Sequence, residues 1–312
     1  MKEKTIRIKL NTNFFLIVAL LIAVFLMGML VNKINFLSKS SQQTQALTQV
    51  QEKAKKDTQN LVNIENKVVN KNGYQLKVSW GSLGKQLIAD GVIDKTKLAQ
   101  SIIGKDQLTQ DYEKYFNGSN QTITLNPQNS HFWLNVLWGL GLANKNALLD
   151  SGDMQTGGNP ANFASTGGYT LGQGDPMSYY SQFSYIQLSD AQQKMVEKIA
   201  GGIYRPCCGN SAAFPDCNHG MAMLGLIELM VSQNASEQDI YNAALAVNEY
   251  WFPQTYFSIA YHFEKLGKDY SKIPAQEILS SVYSSAEGNK KVQQEALGVT
   301  WPSQSSGGGC GA

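Results

Sequence analysis

The sequence has few of the residues that bind metals or catalyse reactions near neutral pH. It contains three histidines and four cysteines in 312 residues, and charged residues make up 16% of the chain. The motifs H-E-x-x-H, G-x-S-x-G and Walker A are absent, so no zinc protease, serine hydrolase or nucleotide cofactor is predicted. C-x-x-C is also missing, which excludes the thioredoxin and covalent-haem patterns.

An excess of basic residues is also lacking. The formal net charge is +2, and part of it comes from lysines that flank an apolar run. A basic stripe for phosphate contacts is therefore missing, and a nucleic-acid partner is not expected. Hydrophobic residues make up 43% of the chain and include five tryptophans, which is enough for a packed core.

The longest uncharged run lies near the N-terminus, from Phe14 to Val31. Its length is nearly that of a bilayer span, and no small-x-small cleavage site follows it. Four basic residues precede it: Lys2, Lys4, Arg7 and Lys9. The positive-inside rule then predicts a cytoplasmic N-terminus (1–12), a signal anchor (13–36) and an extracytoplasmic remainder, in a single-pass protein of the cell membrane.

Residues 37–72 form a polar segment rich in Gln, Lys and Asn, with isolated apolar residues at heptad-like spacing. One interpretation is a stalk that forms a homo-oligomer through a short coiled coil. The other is a solvated helix or flexible spacer, because the pattern lasts only a few heptads.

Residues 73–302 are predicted to form one mainly helical globular domain, followed by a flexible Gly/Cys tail (303–312). A short strand is expected at 75–80. Helices are expected at 82–89, 94–103, from Asn126-Pro127 onward, and at 189–203, 219–232, from Ser236, 255–266, 274–283 and 286–296. A long loop, 151–178, holds seven glycines. It either lets backbone approach a ligand or covers the central helix.

The four cysteines are the residues that most strongly indicate a function. Cys207, Cys208 and Cys217 lie within thirteen positions of a stretch that ends at His219, and Cys310 lies in the tail. Thiolate and imidazole ligands suit zinc and Cu(I). Arg205 and the start of a helix near His219 are expected to lower nearby thiol pKa values. The sequence thus predicts a metal site with these four cysteines and His219 as ligands.

Two alternatives remain open. The four cysteines fit two disulfides that staple a surface or interaction domain, since an extracytoplasmic compartment oxidises thiols. Alternatively, one cysteine acts as a nucleophile or redox thiol with a histidine as its base. Secondary candidates for the metal site are His131, Met221, Met223, Glu228 and His262; His131 and His262 are also candidate bases.

Metal binding without catalysis is the favoured hypothesis. Cys207, Cys217 and His219 would hold a zinc or copper ion, with Cys208 as an exchanging ligand. Cys310, on its glycine tether, would deliver or remove the ion. Such a protein would sequester a metal at the cell surface or exchange it with a donor or acceptor protein.

Overall fold

The computed structural model describes residues 12–303, with side chains from Phe15 onward. Almost all of the predicted cytoplasmic N-terminus (1–12) and of the tail (303–312) lies outside the described residues, and Cys310 lies outside them too. The chain divides between Asn60 and Leu61 into two units.

The described residues of the first unit, 12–60, belong to one long helix, α1 (Thr12–Val68), whose last residues are part of the second unit. Its most apolar window has a mean hydropathy of 2.8, and none of that window is buried. By length and composition this helix can span a membrane; a signal sequence meets the same criteria. The predicted stalk is helical as far as Val68, and its residues up to Asn60 are exposed.

The second unit is mainly helical, as predicted. Two antiparallel strands, β1 (Tyr74–Ser79) and β2 (Thr122–Leu125), pair with Tyr74 opposite Leu125. Between them lie α2 (Leu83–Ala89), α3 (Lys95–Ile103) and α4 (Gln110–Glu113). The helices that follow β2 are α5 (Ser130–Ala143), α6 (Ala147–Asp150), α7 (Asp153–Thr156), α8 (Asp190–Gly202), α9 (Asn218–Ser232), α10 (Glu237–Trp251), α11 (Pro253–Lys265), α12 (Ala275–Ile278), α13 (Ser281–Ser284) and α14 (Ala286–Glu295).

Two of the predicted helices differ from the structure. The helix expected from Asn126 begins at Ser130, because Asn126 Oδ1 accepts the backbone N–H groups of Gln128 and Asn129 in a local turn. The Asn129 amide donates to the carbonyl of Thr124, which joins the turn to the preceding strand β2. The helix expected at 274–283 is two short helices, α12 and α13.

The core is built around α5 and α9, whose residues are almost all buried. The two helices touch through glycines. A Cβ atom on Gly141 would lie 2.1 Å from the carbonyl oxygen of Met221, and one on Gly225 would lie 2.6 Å from that of Leu137. Backbones this close leave no room for larger residues, so these glycines set the distance between the helices. The N-terminus of α9 is fixed by this packing, and the cysteine site lies there.

The glycine-rich segment 151–178 contains α7 and two short 3₁₀ helices, Pro160–Asn162 and Pro176–Ser178. Trp138 of α5 donates its indole N–H to the carbonyl of Ser165 at 2.7 Å, and Tyr169 donates its hydroxyl to that of Val92. The Ser165 N–H donates to the carbonyl of Asp216 at 3.0 Å. The segment therefore packs over the central helix and also supports the loop that carries the cysteines.

Candidate metal centre

Cys207, Cys208 and Cys217 lie between α8 and α9. An isolated antiparallel bridge between Tyr204 and Ser211 closes the part of this loop that carries Cys207 and Cys208. At the first turn, the N–H of Cys208 donates to the carbonyl of Arg205, and the carbonyl of Cys208 accepts from the N–H of Ala286 at the start of α14. These backbone bonds fix the adjacent cysteines against the rest of the domain.

The loop brings three sulfur atoms together. The Cys207 Sγ atom lies 3.4 Å from that of Cys208 and 3.6 Å from that of Cys217, and the Cys208 and Cys217 sulfurs are 3.3 Å apart. All three cysteines are free and partly buried. The separations exceed the roughly 2.05 Å of a disulfide bond, so the site holds three thiol groups. They lie close enough together to hold one metal ion.

Arg205 organises the loop from inside. Its side chain is 1% exposed, and its Nε–H donates to Cys217 Sγ at 3.1 Å. The remaining guanidinium groups donate to both oxygens of Asn210, to the carbonyl of Phe214 and to Asp216 Oδ1 at 2.6 Å. The Asn210 amide also donates to Asp216 Oδ2. The buried Arg205 guanidinium is thus paired with the Asp216 carboxylate and hydrogen-bonded to the sulfur of Cys217, a candidate ligand.

Cys217 is the N-cap residue of α9, and its sulfur accepts the backbone N–H of Gly220 at 3.4 Å. Hydrogen bonds from Cys207 and Cys208 lower the pKa of the Cys217 thiol most, and the His219 imidazole and the Arg205 guanidinium lower it further, against the effect of burial. Cys217 is therefore the thiolate of the group. A helix N-terminus favours the same charge.

The other two cysteines retain their protons. The pKa of Cys207 is raised by its hydrogen bonds with Cys208 and Cys217 and by burial. For Cys208, the bond with Cys207 lowers the pKa, but the bond to Cys217 and burial raise it to about 12. A metal ion that binds all three sulfurs must therefore displace protons, as thiolate ligation generally does.

His219 lies beside this group but does not belong to it. The three cysteine sulfurs lie within 4.8 Å of one another, and the group so defined does not include the histidine. The ring is 5% exposed and packs against Trp251 and Phe252, with centroid distances of 5.3 and 4.5 Å. Its Nδ1 is buried without a hydrogen-bond partner. The imidazole thus packs between aromatic side chains and lowers the pKa of Cys217 from there.

The secondary candidates lie in other surroundings. His262 Nδ1 is 2.9 Å from Glu295 Oε2. The fully buried Glu228 carboxylate accepts hydrogen bonds from Asn144 and Asn146, and burial raises its pKa well above the usual value. Met221 and Met223 are core residues of α9.

His131 is half-buried at the start of α5. Burial lowers its pKa, and the neighbouring His219 lowers it further.

Two residues that support the site were not predicted from the sequence. Asn210 holds both Arg205 and Asp216, and Gly220 leaves the space that Arg205 fills. A Cβ atom on Gly220 would lie 2.6–2.8 Å from three guanidinium atoms of Arg205. A glycine in the first turn of a helix, where it weakens the helix, was the available signal.

The three sulfurs form a group that can hold a metal ion. Three convergent sulfurs, one of them a thiolate, offer soft ligands, and their partial exposure leaves a route for an ion to enter. Comparison with protein-family models, with curated proteins and with solved structures finds no match for this chain. The function is therefore inferred from the site itself.

Proposed function

We propose that this chain is a membrane-anchored, extracytoplasmic protein that binds a soft or borderline metal ion through Cys207, Cys208 and Cys217. The observation that carries the proposal is the meeting of three free sulfurs within 3.6 Å of one another. Thiolate ligands select soft and borderline ions such as Cu(I) and zinc over magnesium or calcium.

The second support is the construction around the sulfurs. The Arg205 side chain, which is 1% exposed and donates five hydrogen bonds, holds the Cys217 sulfur in place. Backbone hydrogen bonds hold the adjacent Cys207 and Cys208. Ligand shells of metal sites are oriented by outer hydrogen bonds of this kind. A domain held by disulfide bonds does not need hydrogen bonds that orient a free sulfur. Metal binding therefore explains the arrangement better than a structural disulfide.

The function we propose is sequestration or exchange of the ion, without catalysis. Cys310 would deliver or remove the ion, and His219 would join the ligands when zinc or copper is bound. Ser303, seven residues before Cys310, is bonded to Glu65 and Gln254. Gln254 lies two residues beyond Phe252, which packs on His219. Seven residues extend at most about 25 Å, so the reach of the tail is compatible with this role.

The location follows from the first helix. An anchor at 13–36, with the N-terminus in the cytoplasm, would place the site outside the membrane on the extracytoplasmic side. Metal donor or acceptor proteins of that compartment are the partners we propose, and the segment 37–72 is where a homo-oligomer would form.

The test is native mass spectrometry of the full-length protein in detergent, with thiol alkylation of the same samples. Reduced protein should bind one zinc or Cu(I) ion and protect three thiols from alkylation. Cys310→Ser should retain the ion, whereas Cys217→Ser should lose it. Protein that binds no soft ion with all thiols reduced would refute the proposal, and a mass loss of two hydrogens per cysteine pair in the native protein would favour the stapled domain.

A further inference from the structure

The spacing of the three sulfurs distinguishes between classes of ion. A metal–sulfur bond of about 2.3 Å, the zinc–thiolate value, requires sulfurs about 3.8 Å apart for tetrahedral angles and about 4.0 Å apart for a trigonal plane. A pyramidal ion with a lone pair has bond angles near 95°, so with bonds of similar length the sulfurs lie about 3.4 Å apart. The sulfurs here are 3.3, 3.4 and 3.6 Å apart.

The surroundings resist expansion of this triangle. The Cys217 sulfur is held by the Arg205 Nε–H group and by its N-cap position. The backbone of Cys208 forms hydrogen bonds with the backbone of Arg205 and of Ala286. Zinc or planar copper would require the sulfurs to separate by about 0.2 to 0.7 Å, and these bonds oppose that movement.

Coordination number leads to the same class. Among the His, Cys, Asp and Glu side chains of residues 12–303, the group of candidate ligand atoms within 4.8 Å of one another consists of these three cysteines alone. Structural zinc sites almost always have four ligands. A pyramidal ion is complete with three, because its lone pair occupies the remaining side.

Charge is the third consideration. Arg205 and Asp216 neutralise each other beside the sulfurs. The charge of the partly buried site is then that of the complex itself. With three thiolates, a monovalent ion gives −2, a divalent ion −1 and a trivalent ion zero. A neutral complex carries the smallest desolvation cost.

From these three observations we infer that the site takes a trivalent, pyramidal, thiophilic ion of the arsenite or antimonite kind. The inference rests on the proposed metal-binding function and specifies its ligand. The reaction is a ligand exchange without change of oxidation state: As(OH)₃, the Cys207 and Cys208 thiols, the Cys217 thiolate and one proton from solvent give As(S-Cys)₃ and three water molecules. Three As–O bonds and two S–H bonds break, and three As–S bonds and three O–H bonds form, the third O–H bond with the solvent proton.

The experiment is a titration of reduced full-length Cys310→Ser protein in detergent with sodium arsenite alone, zinc alone and Cu(I) alone, followed by pairwise competition. We expect one arsenic per chain, loss of three alkylatable thiols, and binding of arsenite at least ten times tighter than binding of zinc or Cu(I). His219→Phe should leave arsenite binding within threefold, because the three-coordinate ion takes no ligand from that residue, while Cys208→Ser should weaken it by at least a hundredfold.

Each alternative outcome identifies what fails. Tighter binding of zinc or Cu(I) than of arsenite would overturn the ion class and leave the metal-binding function standing. Binding of none of the three ions by protein with three reduced thiols would overturn both. Arsenite bound through only two thiols would also overturn the pyramidal site, and this readout on unsubstituted cysteines does not depend on whether a variant folds.

Discussion

The packing of Gly220 against Arg205 gives the sharpest test of how the site is held. The substitution is Gly220→Ala, which adds one methyl group 2.6–2.8 Å from three atoms of the guanidinium. An arginine at the surface would simply move aside. Here the guanidinium donates five hydrogen bonds, and its displacement would break the bond to Cys217 Sγ.

The magnitude can be worked out from these contacts. Overpacking of this kind costs about 1–3 kcal/mol, and a lost hydrogen bond to a charged group costs about 1.5–3 kcal/mol. Alanine regains about 1 kcal/mol in helix propensity. We expect a net destabilisation of about 3 kcal/mol, or about 6–12 °C in Tm for a domain of this size. Because Arg205 orients a ligand sulfur, ion affinity should fall by about 10–100-fold.

The assay pairs thermal denaturation with competitive ion binding. Gly209→Ala is the matched control, since Gly209 lies in the same loop, is exposed, and has no atom within 4 Å of its added Cβ. The control should change Tm by less than about 2 °C and leave affinity intact. In an Arg205→Met background the Gly220→Ala cost should shrink. Equal effects of the two alanine variants, or full additivity with Arg205→Met, would refute the reasoning.

Three further predictions concern the fold. Gly141→Ala places a Cβ 2.1 Å from a backbone oxygen of α9 and should cost at least about 3 kcal/mol by denaturant unfolding, whereas Gly201→Ala, with no atom within 4 Å, should cost nothing. Burial raises the pKa of Glu249 to about 8, so its stabilisation is present below about pH 4.5 and is lost as pH rises toward 8. Relative to Glu249→Gln, whose amide oxygen still accepts from Tyr270, the wild-type Tm should fall over that range, and parallel profiles would contradict this. A chain that starts at Leu61 should remain folded by circular dichroism, whereas one that starts at Gly73 lacks the buried Ile64 and Val68 and should lose about 3–6 kcal/mol; equal stability of the two would contradict this assignment.

Much of the helical fold could be predicted from local signals. Asp94 and Ser189 cap α3 and α8 as their side-chain chemistry predicts, and Ser236 caps α10. Strand β2 could not be predicted in the same way. It is four residues long, and its pairing with β1 joins segments more than forty residues apart. Local periodicity carries no signal for such a contact.

The point at which the globular part of the chain begins also depends on tertiary contacts, which composition does not show. The predicted domain boundary at residue 73 was based on composition, which stays polar to Asn72. The last turns of α1, however, place Ile64 and Val68 among the buried core residues, and Glu65 accepts two hydrogen bonds from Ser303. Isolated apolar residues in a polar helix do not show whether they face solvent, a second copy or a core.

The site shows the same limit at closer range. Crowding of Cys207, Cys208 and Cys217 indicated a shared role, but their spacing matches no standard zinc pattern, so their convergence depended on the loop geometry. Proximity in sequence makes His219 an equal candidate; its ring packs against Trp251 and Phe252 and also lowers the pKa of Cys217, and its role as a ligand stays a prediction. Sequence spacing alone does not give the direction of a side chain.

X-ray absorption on full-length protein loaded with arsenite, zinc or Cu(I), at the edge of the loaded ion, reports the ligand atoms of the site directly. We expect three sulfur neighbours for each ion, no nitrogen neighbour for arsenite and one, from His219, for zinc or Cu(I), with the signal lost in Cys217→Ser and retained in Cys310→Ser. An ion coordinated by oxygen and nitrogen atoms, or a spectrum unchanged by Cys217→Ser, would contradict a metal centre built from these three cysteines.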